Sequence, residues 1–107
     1  MAALMKPEAP LWPTLWAFTL TTCALVMGSA GGPSFLDSGE LIAAARELGG
    51  IHPPGHPAWM SLAPAAEWIP WGAYGARVVW LSAIFAGLSA ALVTRIASRW
   101  LGASMGL

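Results

Sequence analysis

Charged residues are scarce in this chain of 107 residues. They make up 9% of it, five acidic and five basic, while hydrophobic residues make up 57% and the mean hydropathy is +0.64. A soluble domain usually has roughly 25% charged residues. The apolar residues form blocks that one small core cannot bury, so a water-soluble domain is disfavoured. The basic residues are scattered, and without a basic stripe nucleic-acid binding is not expected.

Cysteine and histidine are nearly as scarce. Cys23 is the single cysteine, which excludes a disulfide framework and a thiolate metal site. His52 and His56 flank a Pro-Pro-Gly run, and a pair four apart faces one metal only on a helix, which prolines oppose. We therefore expect no cofactor, and interpret this run as a rigid turn that aims one imidazole. A divalent metal held with nearby acids is the alternative.

Two apolar runs are long enough to cross a bilayer. No charged residue lies between Glu8 and Asp37, and residues 11–30 can span roughly 30 Å of hydrocarbon as a helix. The second uncharged run is residues 78–94, and the predicted span of residues 78–101 carries Trp80 and Trp100, which suit the membrane interfaces. The sequence therefore predicts an all-α membrane protein with two transmembrane helices.

The loops set the expected orientation. Lys6 precedes the first span and Arg95 and Arg99 follow the second uncharged run, whereas residues 31–77 hold four acids against two arginines. The positive-inside rule then predicts cytoplasmic termini and an extracytoplasmic loop, in the inner (plasma) membrane if the source is bacterial. A cleavable signal peptide ending at residues 28–30 is the alternative, because small residues follow the apolar run.

Small residues recur along the second span. Ala83, Gly87 and Ala91 are four apart and form a stripe on one helix face, where another helix can approach closely. We expect membrane lipid around the spans and further membrane helices packed on this stripe, from a partner chain or from copies of this one.

The loop between the spans contains two predicted elements. Residues 37–48 have a helical apolar pattern that ends at Gly49, and residues 58–71 are apolar and rich in tryptophan but too short to span. We therefore expect a short helix and a segment in the headgroup interface, both near the membrane surface.

Two acids at the start of the predicted loop helix are candidates for chemistry. Asp37 and Glu40 are three apart, which places both at the membrane surface but also matches a helix capping box. Arg46 and Arg77 can pair with a phosphate or neutralise nearby glutamates. The sequence alone leaves both alternatives open.

The loop resembles the amino-terminal signature of a known family. The resemblance rests on FLDSGELIAAA at residues 35–45, LG at 48–49, HPPG at 52–55 and Pro57, and it continues through Arg77 and the second span. The family comprises polytopic membrane glycosyltransferases and includes protein O-mannosyltransferases that modify IPT/TIG domains.

The resemblance implies the amino-terminal part of a GT-C bundle that uses a polyprenyl-phosphate sugar as donor. It implies that Asp37 is a general base or orients the acceptor, and that Glu40 assists it. It also implies that His52 lies near the donor phosphate. We add His56 and Arg77 as substrate-binding candidates, although His56 departs from the family pattern.

These observations lead to two functional hypotheses. The first is the amino-terminal portion of a protein O-mannosyltransferase-like membrane glycosyltransferase, inactive alone because family members continue through many more helices. The second is a small two-span interaction protein that packs on a larger partner, with Asp37 and Glu40 as helix caps. A following reading frame that encodes more membrane helices would favour the first.

Overall fold

The computed structural model describes residues 9–29, 38–49 and 56–101. These ranges are mostly helical and contain no strand. The elements in chain order are α1 (Trp12–Gly28), α2 (Ser38–Glu47), α3 (Pro57–Leu62), a 3₁₀ helix (Ala63–Trp68) that follows α3 directly, and α4 (Tyr74–Leu101). The chain divides into two compact units, Met1–Met27 with Ala83–Leu107, and Gly28–Ser82.

Among the described residues, α4 alone has the length and composition of a membrane span. It has 28 residues and a mean hydropathy of 1.8 over its apolar window, and at 1.5 Å per residue it is about 42 Å long. Helix α1 has 17 residues and is about 26 Å long, slightly shorter than a typical hydrocarbon core. The described residues are therefore mostly helical with one candidate span, and the second transmembrane helix remains a prediction.

In the first unit, α1 and α4 pack against each other at Gly87. A Cβ atom placed on Gly87 would overlap Thr22 Oγ1 and lie 3.0 Å from the backbone carbonyl oxygen of Phe18. The small-residue stripe therefore has a neighbour within the chain at this position, which allows close contact between the two backbones.

Arg95 ties the start of α1 to α4 in the same unit. Its Nη1 donates to the carbonyl oxygens of Ala9 at 2.6 Å and Pro10 at 3.3 Å. Since Arg95 lies opposite the start of α1 and Gly87 lies opposite Phe18, the two helices run antiparallel.

The serine hydroxyls of α4 are satisfied within the helix. Ser82, Ser89 and Ser98 donate to the carbonyl oxygens four residues earlier, at 3.3, 2.9 and 2.8 Å. This bonding satisfies each hydroxyl donor inside an apolar helix.

Large apolar side chains are exposed on both long helices, among them Leu15, Trp16, Leu20, Leu88, Leu92, Val93 and Ile96. Such a surface favours a lipid or protein environment over water.

Small residues form the centre of the second unit, where α2, α3 and the 3₁₀ helix are in contact. Ala44 and Ala45 of α2 are buried, and Ala63 and Ala66 of the 3₁₀ helix have no exposed surface. Alanine adds little bulk, so these short helices approach closely. Trp68 and Trp71 instead remain 85% and 69% exposed.

Helix α2 ends slightly earlier than the predicted residue 48. Its last residue is Glu47, Leu48 has a φ of 52°, and the Gly49 amide donates to the Ala44 carbonyl oxygen at 3.2 Å. A left-handed residue followed by a bond back to the last turn is a common way to end a helix. Leu48 is 72% exposed and does not belong to the buried face.

Candidate functional site

Two of the predicted site residues, Asp37 and His52, lie outside the described residues. Glu40 is exposed in the first turn of α2, and His56 is exposed immediately before α3. Within residues 9–29, 38–49 and 56–101, no group of three or more His, Cys, Asp or Glu side chains is placed to hold a metal.

Arg77 lies in the first turn of α4 and makes two polar contacts. Its Nε donates to the Gly72 carbonyl oxygen at 2.7 Å, and its Nη1 lies 3.9 Å from Glu67 Oε2. Glu67 is 56% exposed and the ion pair is long, so it contributes at most about 1 kcal/mol to stability. Of the two alternatives for Arg77, the structure contains the pairing with a glutamate.

The turn before α4 requires glycine at residue 72. Gly72 has a φ of 86°, and a Cβ atom there would lie 2.7 Å from the Trp80 ring. Both the backbone conformation and the close tryptophan therefore exclude a larger residue. This turn presents the carbonyl oxygen that orients the Arg77 guanidinium.

Arg46 contacts Tyr74, which belongs to none of the motifs that the sequence contains. The guanidinium carbon lies 5.5 Å from the centre of the Tyr74 ring, within the range of a cation–π interaction. This contact joins the last turn of α2 to the first residue of α4. The Tyr74 hydroxyl is buried and has no hydrogen-bond partner within the described part of the chain.

A cleft of about 400 Å³ lies beside this contact, and we call it the α2–α4 cleft. On α2 its lining residues are spaced by three or four positions, so they share one helical face, opposite to the buried Ala44 and Ala45. The residues that line it are Gly39, Ile42, Ala43, Arg46, Glu47, Tyr74 and Gly75.

Comparison with known proteins identifies the family of the chain. Residues 37–106 match the family described as the Protein O-mannosyl-transferase TMEM260 N-terminal domain. The curated Protein O-mannosyl-transferase TMEM260 of Mus musculus is 40% identical over 90 residues, which cover 83% of this chain and 12% of that protein. The chain belongs to the TMEM260 protein O-mannosyl-transferase family. No solved structure matches.

This membership confirms the family resemblance found in the loop. The TMEM260 match begins at Asp37 and includes all of α2, the α2–α4 cleft and α4, so every predicted site residue lies within it. Helix α1 precedes the matched range. The chain spans 12% of the length of the mouse relative, so it corresponds to an amino-terminal part only.

Proposed function

We propose that this chain forms the amino-terminal part of a membrane protein O-mannosyltransferase, which transfers a mannosyl group from a polyprenyl-phosphate donor to an acceptor hydroxyl. The observation that carries the proposal is the match of residues 37–106 to the TMEM260 amino-terminal domain. The helix α4, long and apolar enough for a bilayer, supports a membrane location for that chemistry.

The proposed reaction needs a base for the acceptor. Asp37, which directly precedes α2, takes the proton from the acceptor hydroxyl as its oxygen bonds to the anomeric carbon. The bond from that carbon to the donor phosphate oxygen breaks, and its electron pair leaves with the phosphate. Glu40, in the first turn of α2, orients the acceptor. His52, His56 and Arg77 bind the substrates.

We propose that catalysis also needs membrane helices beyond this chain. The chain covers 12% of the mouse relative, and the exposed apolar side chains of α1 and α4 offer surface for helix packing. The rest of the donor pocket then comes from those helices. The enzymatic test must therefore use an assembly that contains them.

A graft tests the proposed function. We expect transfer when residues 1–106 of this chain replace the corresponding segment of the mouse relative, because the two sequences are 40% identical over the 90 residues that match. The assay measures sugar transfer in membranes from a polyprenyl-phosphate mannose donor. As the matched control, residues 37–73 of the graft become a Gly-Ser linker of equal length, which keeps α1 and α4 but removes Asp37 together with α2, α3 and the 3₁₀ helix.

The control should lose at least about 100-fold in rate, the lower end of the effect of removing acid–base catalysis. The alternative function, a two-span interaction protein, is favoured by the same exposed apolar faces. It predicts that the graft and its linker control transfer no sugar. If the inserted graft gives no transfer above its linker control, the enzymatic proposal is wrong.

We further propose that α1 and α4 both cross the membrane. Their antiparallel packing puts Arg95 beside the start of α1, so the basic end of α4 and the start of α1 lie on one side of the membrane. Slight thinning of the bilayer accommodates the shorter α1. Residues 31–77 are then extracytoplasmic and both termini are cytoplasmic.

Reporter fusions test this topology. A reporter active only outside the cytoplasm should give a signal when fused after Gly50 and none when fused after Leu107, because the charge asymmetry holds both ends inside. A cytoplasmic result at Gly50 contradicts the topology. Loss of the first thirty residues from the mature chain on a gel would instead support the signal peptide.

A further inference from the structure

The α2–α4 cleft contains adjacent side chains of opposite charge that the proposed chemistry does not use. We propose that this cleft is a monosaccharide subsite in which Arg46 and Glu47 bind sugar hydroxyls and Tyr74 positions Arg46. The inference deepens the proposed function and rests on it, because it names where the enzyme holds a sugar ring.

The charges of the cleft suit a neutral ligand with many hydroxyls. A guanidinium only donates hydrogen bonds and a carboxylate only accepts them, whereas each sugar hydroxyl can do both. A phosphate would be attracted by Arg46 but repelled by Glu47, which lines the same cleft. The pair therefore favours a sugar ring over an anion.

The shape of the cleft also suits a sugar ring. Its volume of about 400 Å³ lies within the range of small-molecule sites. Gly39 and Gly75 line it without side chains, so a ring can approach the helix backbones. Ile42 and Ala43 add an apolar wall for the C–H face of a sugar.

Tyr74 restricts the side chain of Arg46, which donates hydrogen bonds to the sugar in this proposal. Its ring lies 5.5 Å from the Arg46 guanidinium carbon, and a cation–π contact at that distance limits the rotamers of a long, flexible side chain. Binding then orders fewer side-chain rotamers, which lowers its entropic cost. The contact depends on the aromatic ring and does not need the buried hydroxyl.

The position of the cleft connects it to Asp37, the proposed catalytic base. Gly39 lines the cleft and lies two residues after Asp37 and beside Glu40 in the sequence. A sugar in the cleft therefore lies along α2 and reaches Gly39, near the end of the helix that follows Asp37 in the sequence.

The test uses the full chain in lipid nanodiscs, labelled with ¹⁵N-glycine and titrated with methyl α-mannoside. The Gly39 and Gly75 amide signals should shift and saturate with the sugar, because both residues line the cleft. The Gly28 and Gly87 signals should not shift, because neither lines it. Inorganic phosphate is the second probe and should leave Gly39 and Gly75 unchanged.

Variants separate the roles of the side chains. Arg46→Gln and Glu47→Gln should each weaken sugar binding about ten-fold, as expected for a hydrogen bond to a charged group. Glu67→Gln should not weaken sugar binding, because this exposed carboxylate lies outside the cleft lining. Tyr74→Phe keeps the ring and should bind normally, whereas Tyr74→Leu should bind as weakly as Arg46→Gln.

Absence of a sugar-dependent shift at Gly39 and Gly75 overturns the subsite, and so does an equal response to phosphate. Equal losses in Tyr74→Phe and Tyr74→Leu overturn the positioning role. The titration contains no donor and no acceptor, so it is independent of catalysis. Failed binding with intact transfer by the graft rejects this inference alone, while binding without transfer by the graft rejects the proposed function alone.

Discussion

Asp37→Asn should lower sugar transfer by about 10²-fold to 10⁴-fold in an assembly that contains this segment, because the amide cannot take a proton from the acceptor. The same amide keeps an oxygen that can cap α2, so folding and membrane insertion should be preserved. The measurement compares initial transfer rates in membranes with equal amounts of inserted protein.

Two further variants separate catalysis from capping. Asp37→Ala removes both the base and the cap, and should add about 1 kcal/mol of destabilisation to the same loss of rate. Glu67→Gln changes a carboxylate that is 56% exposed and only weakly paired with Arg77, so transfer should be nearly normal. Near-normal transfer by Asp37→Asn would return Asp37 to a structural role as helix cap.

The α2–α4 cleft shows why part of the site could not be predicted from the sequence. The apolar pattern of α2 indicates its packed face, and the buried Ala44 and Ala45 lie on it. Nothing local to α2 indicates that Arg46 meets Tyr74, which lies 28 positions later in the sequence. A second helical face of α2 is visible in the spacing of Gly39, Ala43, Arg46 and Glu47. This spacing predicts a cleft only when the helix that packs beside α2 is known.

The long helices illustrate a different limit. An apolar run shows what a segment can be buried in, but not where its backbone stops being helical. The run of residues 11–30 therefore overestimates the length of α1, which ends at Gly28. Helix α4 is instead longer than predicted, because it begins at Tyr74 and not at residue 78. Whether α1 crosses the membrane depends on its neighbours and the lipid thickness, which composition does not encode.

The stripe of Ala83, Gly87 and Ala91 predicts close helix packing but not the identity of the packed helix. A small residue allows approach from any helix, so the pattern is equally compatible with a partner chain and with α1. The structure places Thr22 and Phe18 of α1 against Gly87. Further helices from other chains remain a proposal for the rest of the exposed surface.

Gly87→Leu should separate α1 from α4 and destabilise their packing by about 1–3 kcal/mol, the usual cost of overpacking a tight contact. Thr22 can rotate its hydroxyl away from a new Cβ, but the Phe18 carbonyl oxygen belongs to the α1 backbone and cannot move alone. Gly87→Ala adds only the Cβ atom, so it should destabilise the packing less than Gly87→Leu, which adds three more carbon atoms. Both variants remain apolar enough to insert.

The separation can be measured between spin labels on Cys23, which is exposed on α1, and on a cysteine introduced at the exposed Ser89 of α4. Gly87→Leu should lengthen and broaden the distance distribution and lower resistance to unfolding in detergent. Gly28→Leu is the matched control, because a Cβ atom at Gly28 meets nothing within 4 Å. If the two variants give the same distances and the same stability, Gly87 is not the contact that holds α1 and α4 together.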